Sequence, residues 1–520
     1  GGSPSITASG TFSGATITQP SGNSTAGDVI GISYDPSANS IQFTKNGSSW
    51  GSVTGLAAVD VVPVIARNSS SGVQTTKFII NFGQRAFEYT SPMSGAVALN
   101  TSNLPEPTVN DGSKHFSANL WTGNATTNRA LTGFGHQPDF VWAKARNQAY
   151  AHALFDSVRG GGYRVYNLGS TPPAQDYLAE YIKSFDSDGI TLGDDANLNG
   201  NNVTYVGWSW KGGGNAGKTY TVKVVSDSGN KYRFDDFGTS AVTLSLAEGG
   251  TYIFDQSDSS NSGHPLRFST TSDGTHGAGS EYTTGVTVTG TPGQAGAKTT
   301  IVVAASAPTL YYYCSVHSGM GGQADTTTTL GSSNFDGSIA TVANPNQTGG
   351  FSVIKYTSNG SSGATIGHGL NDVPAFFIVK NIDATDHYSC YHQGIGNGKA
   401  LLLNSGNTAY TDVAFWNNTS PTSTTITLGN ETSTNNSNSD DYICWAWSEI
   451  EGFSKFGTYV GSTGLPFVYC GFKPAFIILK PHDLGSNWYL YDSARGEYNT
   501  VSMRVLADTQ DAETTSAGND

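Results

Sequence analysis

Four residues of this chain have the types and spacing to hold a metal ion: His264, Cys314, His317 and Met320. The last three fall in one short stretch, Cys314-Ser315-Val316-His317-Ser318-Gly319-Met320, and can share a tight loop. His264, in Gly263-His264-Pro265 about fifty positions earlier, can come from a separate strand. Two imidazoles, a thiolate and a weak thioether are the ligand set of a mononuclear copper site, with the thioether approaching axially. Gly319 and Gly321 let so tight a loop close. The same donors also suit zinc. Without a metal, the two histidines would be hydrogen-bonded loop residues near a buried thiol. His276, in Asp273-Gly274-Thr275-His276-Gly277, is expected to face solvent.

Other chemistry-bearing patterns read as structural. Gly47-Ser48-Ser49-Trp50-Gly51 has the letters of a nucleophile elbow but lies in a hairpin rather than between strand and helix. Asp186-Ser187-Asp188-Gly189 lacks the glutamate that closes a calcium loop and reads as a polar turn. Asp156-Ser157-Val158-Arg159-Gly160 and its later copy, Asp492-Ser493-Ala494-Arg495-Gly496, read as ion pairs beside a glycine turn. No partner cluster accompanies them, so no catalytic role is expected and the chain does not read as an enzyme.

The elements that must position the four candidates are strands. Charged residues are 13% of the chain, about half of the roughly 25% usual in globular proteins. Short β-branched and aromatic runs recur between Gly, Asn and Asp turns. The net charge is −14 with no Lys/Arg-rich run, which speaks against nucleic acid as a partner. No run of about 18 apolar residues occurs, so no membrane insertion is expected. Four cysteines in 520 residues are too few for a disulfide scaffold. The fold class is all-β, a multidomain string of β-sandwich modules.

Five segments are expected. Residues 1–110 form a partial β-sandwich, with Asp28–Asp35, Ile41–Lys45, Val61–Ala66 and Lys77–Phe82 as strands and Asn46-Gly47 as a hairpin turn. Residues 111–213 form a first repeat unit, with Pro138-Asp139-Phe140 opening a buried strand and Trp208-Ser209-Trp210 closing the unit. Residues 331–452 form a second, with Pro374-Ala375-Phe376 and Trp445-Ala446-Trp447. Residues 453–520 carry Pro474-Ala475-Phe476 without a closing Trp-x-Trp, so a longer parent chain is expected. The opening Gly1-Gly2-Ser3-Pro4-Ser5, with neither initiator Met nor signal peptide, leads to the same expectation. Trp-x-Trp places both indoles on one strand face, in the core of each unit. Residues 219–326 form a separate module of seven or so strands, flanked by linkers at Lys211–Lys218 and Thr326–Leu330. One helix is predicted over Pro172–Ile182 from an early proline and an apolar spacing that suits a helix.

Residues 219–326 resemble the cupredoxins, in which a His precedes the middle strands and a Cys ends a late strand before a His and a Met. The resemblance implies a copper-type centre at His264, Cys314, His317 and Met320. The order Asp28-Val29-Ile30-Gly31, Phe43-Thr44-Lys45-Asn46-Gly47, Pro63-Val64-Ile65 and Asn81-Phe82-Gly83 resembles the later strands of a SPRY-type sandwich. The whole layout is similar to a family of phage virion proteins, especially of marine phages. Asn81–Tyr89, Phe185–Gly189 and His264–Ser269 carry that likeness. It implies a tail-fibre-like surface component of the virion. Its partners would be other virion proteins, further copies of itself, and a host surface receptor or glycan. The alternatives are a copper-binding electron-transfer protein and a cell-surface adhesin or lectin.

Overall fold

A computed structural model describes residues 16–18, 25–56, 79–89, 95–99, 103, 107–167, 172–215, 217–462, 467–496 and 501–515. The chain is all-β and divides after Glu106 into two compact units.

In the first unit, Thr16–Thr18, Ser48–Thr54, Ser40–Lys45 and Ile30–Asp35 form one antiparallel sheet in that order. Asn46 and Gly47 both take positive φ (49° and 76°), as a two-residue hairpin turn requires. The predicted strand at Val61–Ala66 lies outside the described residues. Of the one at Lys77–Phe82, Ile79–Phe82 are described and are not strand.

In the second unit the two Trp-x-Trp strands are centres of their sheets. Thr204–Trp210 lies between Phe140–Ala145 and Phe116–Thr122, and Asp441–Ser448 lies between Pro374–Asn381 and Phe351–Thr357. The register sets Trp210 opposite Phe140 and Trp447 opposite Phe376. The indoles share one face as predicted, but that face is not the private core of each unit. Phe140, Trp208, Phe351, Phe376, Trp445 and Trp447 belong to one apolar cluster that also takes Trp488 and Leu490 from residues 453–520. Trp210 packs 5.6 Å from both Trp447 and Phe476. Separate clusters line the outer sides of the first and second repeats.

The three repeats close on one another in a ring. The Arg159 guanidinium of the first lies 5.8 Å from the Trp445 ring of the second. The Leu402 carbonyl of the second accepts from Trp488 Nε1 of the third at 2.9 Å. In the third, Asp492 accepts from Trp208 Nε1 of the first at 2.9 Å, with Arg495 5.5 Å from that indole. The Asp-Ser-x-Arg segments are buried ion pairs, as expected, at 2.7 Å (Arg159–Asp156) and 2.6 Å (Arg495–Asp492). Each carries its guanidinium onto the first indole of a neighbouring repeat.

His152 also joins the first repeat to the third. Its Nδ1 accepts from Trp142 Nε1 at 2.8 Å and its Nε2 donates to the Leu506 carbonyl at 2.9 Å. Burial pushes its pKa from 6.5 down to about 3. Between those pH values the unfolded chain binds a proton that the folded chain refuses. The stability this neutral histidine supplies is therefore present above pH 6.5 and lost as the pH falls. Asp139, pushed up to about 6 by burial, acts with the opposite sign between roughly pH 4 and 6. On lowering the pH from 6.5 to 4, His152→Gln is expected to lose roughly 3 kcal/mol less unfolding free energy than the parent, whatever Asp139 contributes to both. Urea unfolding at the two pH values measures this, and parallel profiles would contradict it.

Three sequence expectations are corrected. Pro172–Ile182 is not a helix. Asp176–Tyr177 pairs as a short strand with Tyr163–Arg164, Gln175 N donates to the Ile382 carbonyl, and Arg164 holds Asp176 at 2.7 Å. These long-range contacts override the local spacing. Lys211–Lys218 is no loose linker. Gly212 N donates to Asp139 Oδ2 at 2.7 Å, and Asp139 Oδ1 accepts from Ser157 and Asn344. A Cβ at Gly212 would meet Asn344 Nδ2 at 2.8 Å, so close approach explains that glycine. Thr326–Leu330 begins as the end of a strand, Gly322–Thr327, and Leu330 N then donates to the Ser157 carbonyl.

Between these attachments sits the inserted module. Its five-stranded sheet runs in the order Asn230–Phe234, Lys218–Ser226, Thr251–Asp255, Lys298–Val302 and Val286–Thr289. The facing four-stranded sheet runs Leu244–Ala247, Gly322–Thr327, Leu310–Cys314 and Leu266–Ser269. The seven predicted strands are present, and Asn230–Phe234 and Gly322–Thr327 are added to them. The module docks through Tyr220 Oη, which donates to the Ser333 carbonyl at 3.0 Å, Tyr252 Oη beside Ser332 Oγ at 2.9 Å, and Phe335, which enters the module's core.

Candidate metal centre

Strand register positions the candidate ligands. Cys314 ends its strand directly opposite Leu266, two residues after His264. Ser315 N donates to the Pro265 carbonyl at 3.0 Å, which fixes the two segments side by side where both chains leave the sheet. His317 follows on the exposed loop, and Met320 re-enters the core just before Gly322–Thr327.

The structure brings three of the four predicted residues together as donor atoms. Cys314 Sγ lies 3.7 Å from His317 Nδ1 and 3.9 Å from His264 Nδ1, and the three ligand atoms lie within 4.8 Å of one another. These separations are short enough for one ion to be held by all three groups, and a thiolate with two imidazoles is a donor set that would suit copper or zinc. Met320 is buried in the same apolar cluster as Cys314. Burial, and then the neighbouring His317, lower the pKa of His264, which favours the neutral imidazole that ligates metal.

Two further residues touch the centre without having been expected to. Tyr232 Oη donates to the His264 carbonyl at 2.9 Å. Burial foremost, with the Cys314 thiol beside it, keeps this phenol protonated far above its ordinary range. His276 is exposed as expected, yet its Nε2 donates to the Cys314 carbonyl at 3.0 Å. The only hint of Tyr232 in the sequence is its alternation with Phe234 in the strand Asn230–Phe234, which Lys231 and Arg233 conceal.

The centre stands at the end of the module away from its attachments. Lys218, at the docked end of its strand, is six residues from Val224, and Val224 pairs with Tyr232 beside His264. Six strand residues span about 20 Å. Among the described residues, His264, Cys314 and His317 form the cluster of His, Cys and acidic side chains arranged for a metal.

A family model described as "Domain of unknown function (DUF7483)" matches residues 111–234 and 325–520, more than half of the chain. The matched segments cover the three repeats and run into the module's first two strands, and the gap between them, residues 235–324, holds His264, Cys314, His317 and Met320. No curated protein and no solved structure matches the chain.

Proposed function

The chain belongs to the DUF7483 family, and we propose that it is a structural component of a bacteriophage particle, a tail fibre or other surface protein that takes part in host attachment. The observation that carries this reading is the ring of three repeats around one shared aromatic core, with a further module inserted between the first and second repeats. Such a body suits a load-bearing platform, and its outward loops are where recognition is carried. The phrases Asn81–Tyr89, Phe185–Gly189 and His264–Ser269, with their likeness to phage virion proteins, support the particle assignment. So does the reading of residues 1–110 as SPRY-like and of the module as cupredoxin-like.

Other virion proteins and further copies of the chain are the expected partners. The strand Phe476–Leu479 pairs on one side only among the described residues, and Val460, Phe467 and Tyr469, which precede it in the sequence, are exposed. An open edge with apolar neighbours is the kind of surface that assembly covers. Quantitative mass spectrometry of gradient-purified particles tests the reading. A fixed copy number per particle is expected, and recovery only from the cell lysate would overturn it.

A second reading, a copper-binding electron-transfer protein, is favoured by the 3.7 and 3.9 Å sulfur–nitrogen separations. Reversible one-electron reduction of the copper-loaded chain would support it. The two readings are compatible if the module is a metal-bearing part of a structural protein.

A further inference from the structure

The loop from Cys314 to Met320 is held from both sides by groups that none of the candidate ligands supplies. On one side lies the turn Asp273–His276. Asp273 has left-handed backbone (φ 58°) and heads the 3-10 turn Gly274–Gly277, yet its side chain does not cap that turn. It reaches the ligand loop instead, where Oδ2 accepts from Ser318 Oγ at 2.5 Å and Oδ1 from Gly319 N at 2.8 Å. Three residues on, His276 Nε2 donates to the Cys314 carbonyl at 3.0 Å. The turn therefore grips the loop just before His317, at Cys314, and just after it, at Ser318 and Gly319. On the other side, Lys231 Nζ donates to the Gly319 carbonyl, and Tyr232 N donates to the Met320 carbonyl at 3.0 Å.

We propose that Asp273 and His276 are positioning residues that clamp the Cys314–Met320 loop in its metal-ready form before any ion arrives. The proposal rests on the reading of His264, Cys314 and His317 as a copper site. A short exposed loop with glycines at 319 and 321 has many conformations open to it, and in most of them His317 Nδ1 is not beside the sulfur. A carboxylate that accepts two bonds from consecutive residues removes that freedom, and charge-assisted acceptance makes the hold strong. Groups of this kind, outside the ligand set but fixing its orientation, typically account for 10–100-fold in metal affinity.

Asp273→Gly tests the clamp cleanly, because glycine suits φ 58° and the turn keeps its backbone while losing the carboxylate. Ser318→Ala removes one of the two bonds from the other partner. In metal-free protein, iodoacetamide labelling of Cys314, followed by peptide mass spectrometry with Cys470 as internal reference, reports loop opening directly. Cys314 is fully buried and Cys470 half-buried, so only Cys314 should respond. Cys314 labelling is expected to rise about tenfold or more in Asp273→Gly and less in Ser318→Ala. Copper affinity should fall about 10–100-fold in Asp273→Gly. Unchanged Cys314 labelling in both variants, or a rise matched at Cys470, would overturn the clamp. Wild-type protein that takes up no copper would instead overturn the copper reading, and labelling would still decide whether the loop is clamped.

Discussion

Wild-type protein titrated with Cu(II) is expected to take up one equivalent and gain an intense visible thiolate-to-copper absorption, and Cys314→Ser is expected to gain none. The reasoning starts from the separations. Sulfur lies 3.7 and 3.9 Å from two imidazole nitrogens, close enough for one ion to be held by all three. Cys314 is fully buried, at the end of a strand paired residue for residue with Leu266–Ser269, so the sulfur is fixed by the sheet. Serine keeps the shape and the backbone but replaces the soft thiolate that selects copper. Loss of an outer-shell group already costs 10–100-fold in affinity, so loss of this ligand should cost at least about 100-fold. Competition against a chelator of known affinity measures that loss. Equal uptake by both proteins would mean that the ion binds elsewhere. Colourless uptake of zinc with no copper band would replace copper by a closed tetrahedral site.

The largest expected loss of stability is that of Asp492→Ala. Asp492 accepts from Arg495 Nε at 2.6 Å, from Arg495 N at 2.9 Å and from Trp208 Nε1 at 2.9 Å, all within the core where the third repeat meets the first. Neither Asp492 nor Arg495 exposes any side-chain surface. Removing one member of a buried pair leaves the other as an uncompensated charge, which costs about 3–5 kcal/mol. Glu513, 3.1 Å from Arg495, offsets part of that cost, while the orphaned indole N–H of Trp208 adds to it. Urea unfolding of the parent and of Asp492→Ala gives the difference. The double variant Asp492→Ala/Arg495→Met should recover part of it, because the stranded charge is then gone. A single variant within about 1 kcal/mol of the parent, on the scale of an exposed pair, would show that the contact does not lock the ring.

Much of this architecture is legible in the sequence for physical reasons. Strand alternation and turn residues mark the elements, so the seven expected strands of the module lie at its short β-branched and aromatic runs. The Cys-x2-His-x2-Met spacing confines three candidate ligands to one loop, and His264 joins them because a second imidazole completes the ligand set and the cupredoxin resemblance places a His before the middle strands. What stays hidden is what depends on distant partners. Tyr232 lies 32 positions from the His264 carbonyl that it contacts, and Asp273 lies 46 from Gly319. No local spacing encodes either contact. Pro172–Ile182 misleads in the opposite direction, with a local helical spacing that pairing to Tyr163 and Arg164 overrides. The Asp-Ser-x-Arg segments are legible as ion pairs. That each guanidinium rests on another repeat's indole is not, because a repeat read alone gives no sign that its neighbours share its core.

Immunogold electron microscopy of purified phage particles, with antibody raised against the module of residues 219–326, tests the central claim most directly. The module has its centre about 20 Å from the docked end, so it should be accessible to antibody. Gold at one fixed place on the particle, such as the tail tip or the capsid surface, is the predicted result. Particles free of gold, with the antigen confined to the host cell, would contradict the account and leave the copper centre as the chain's principal function.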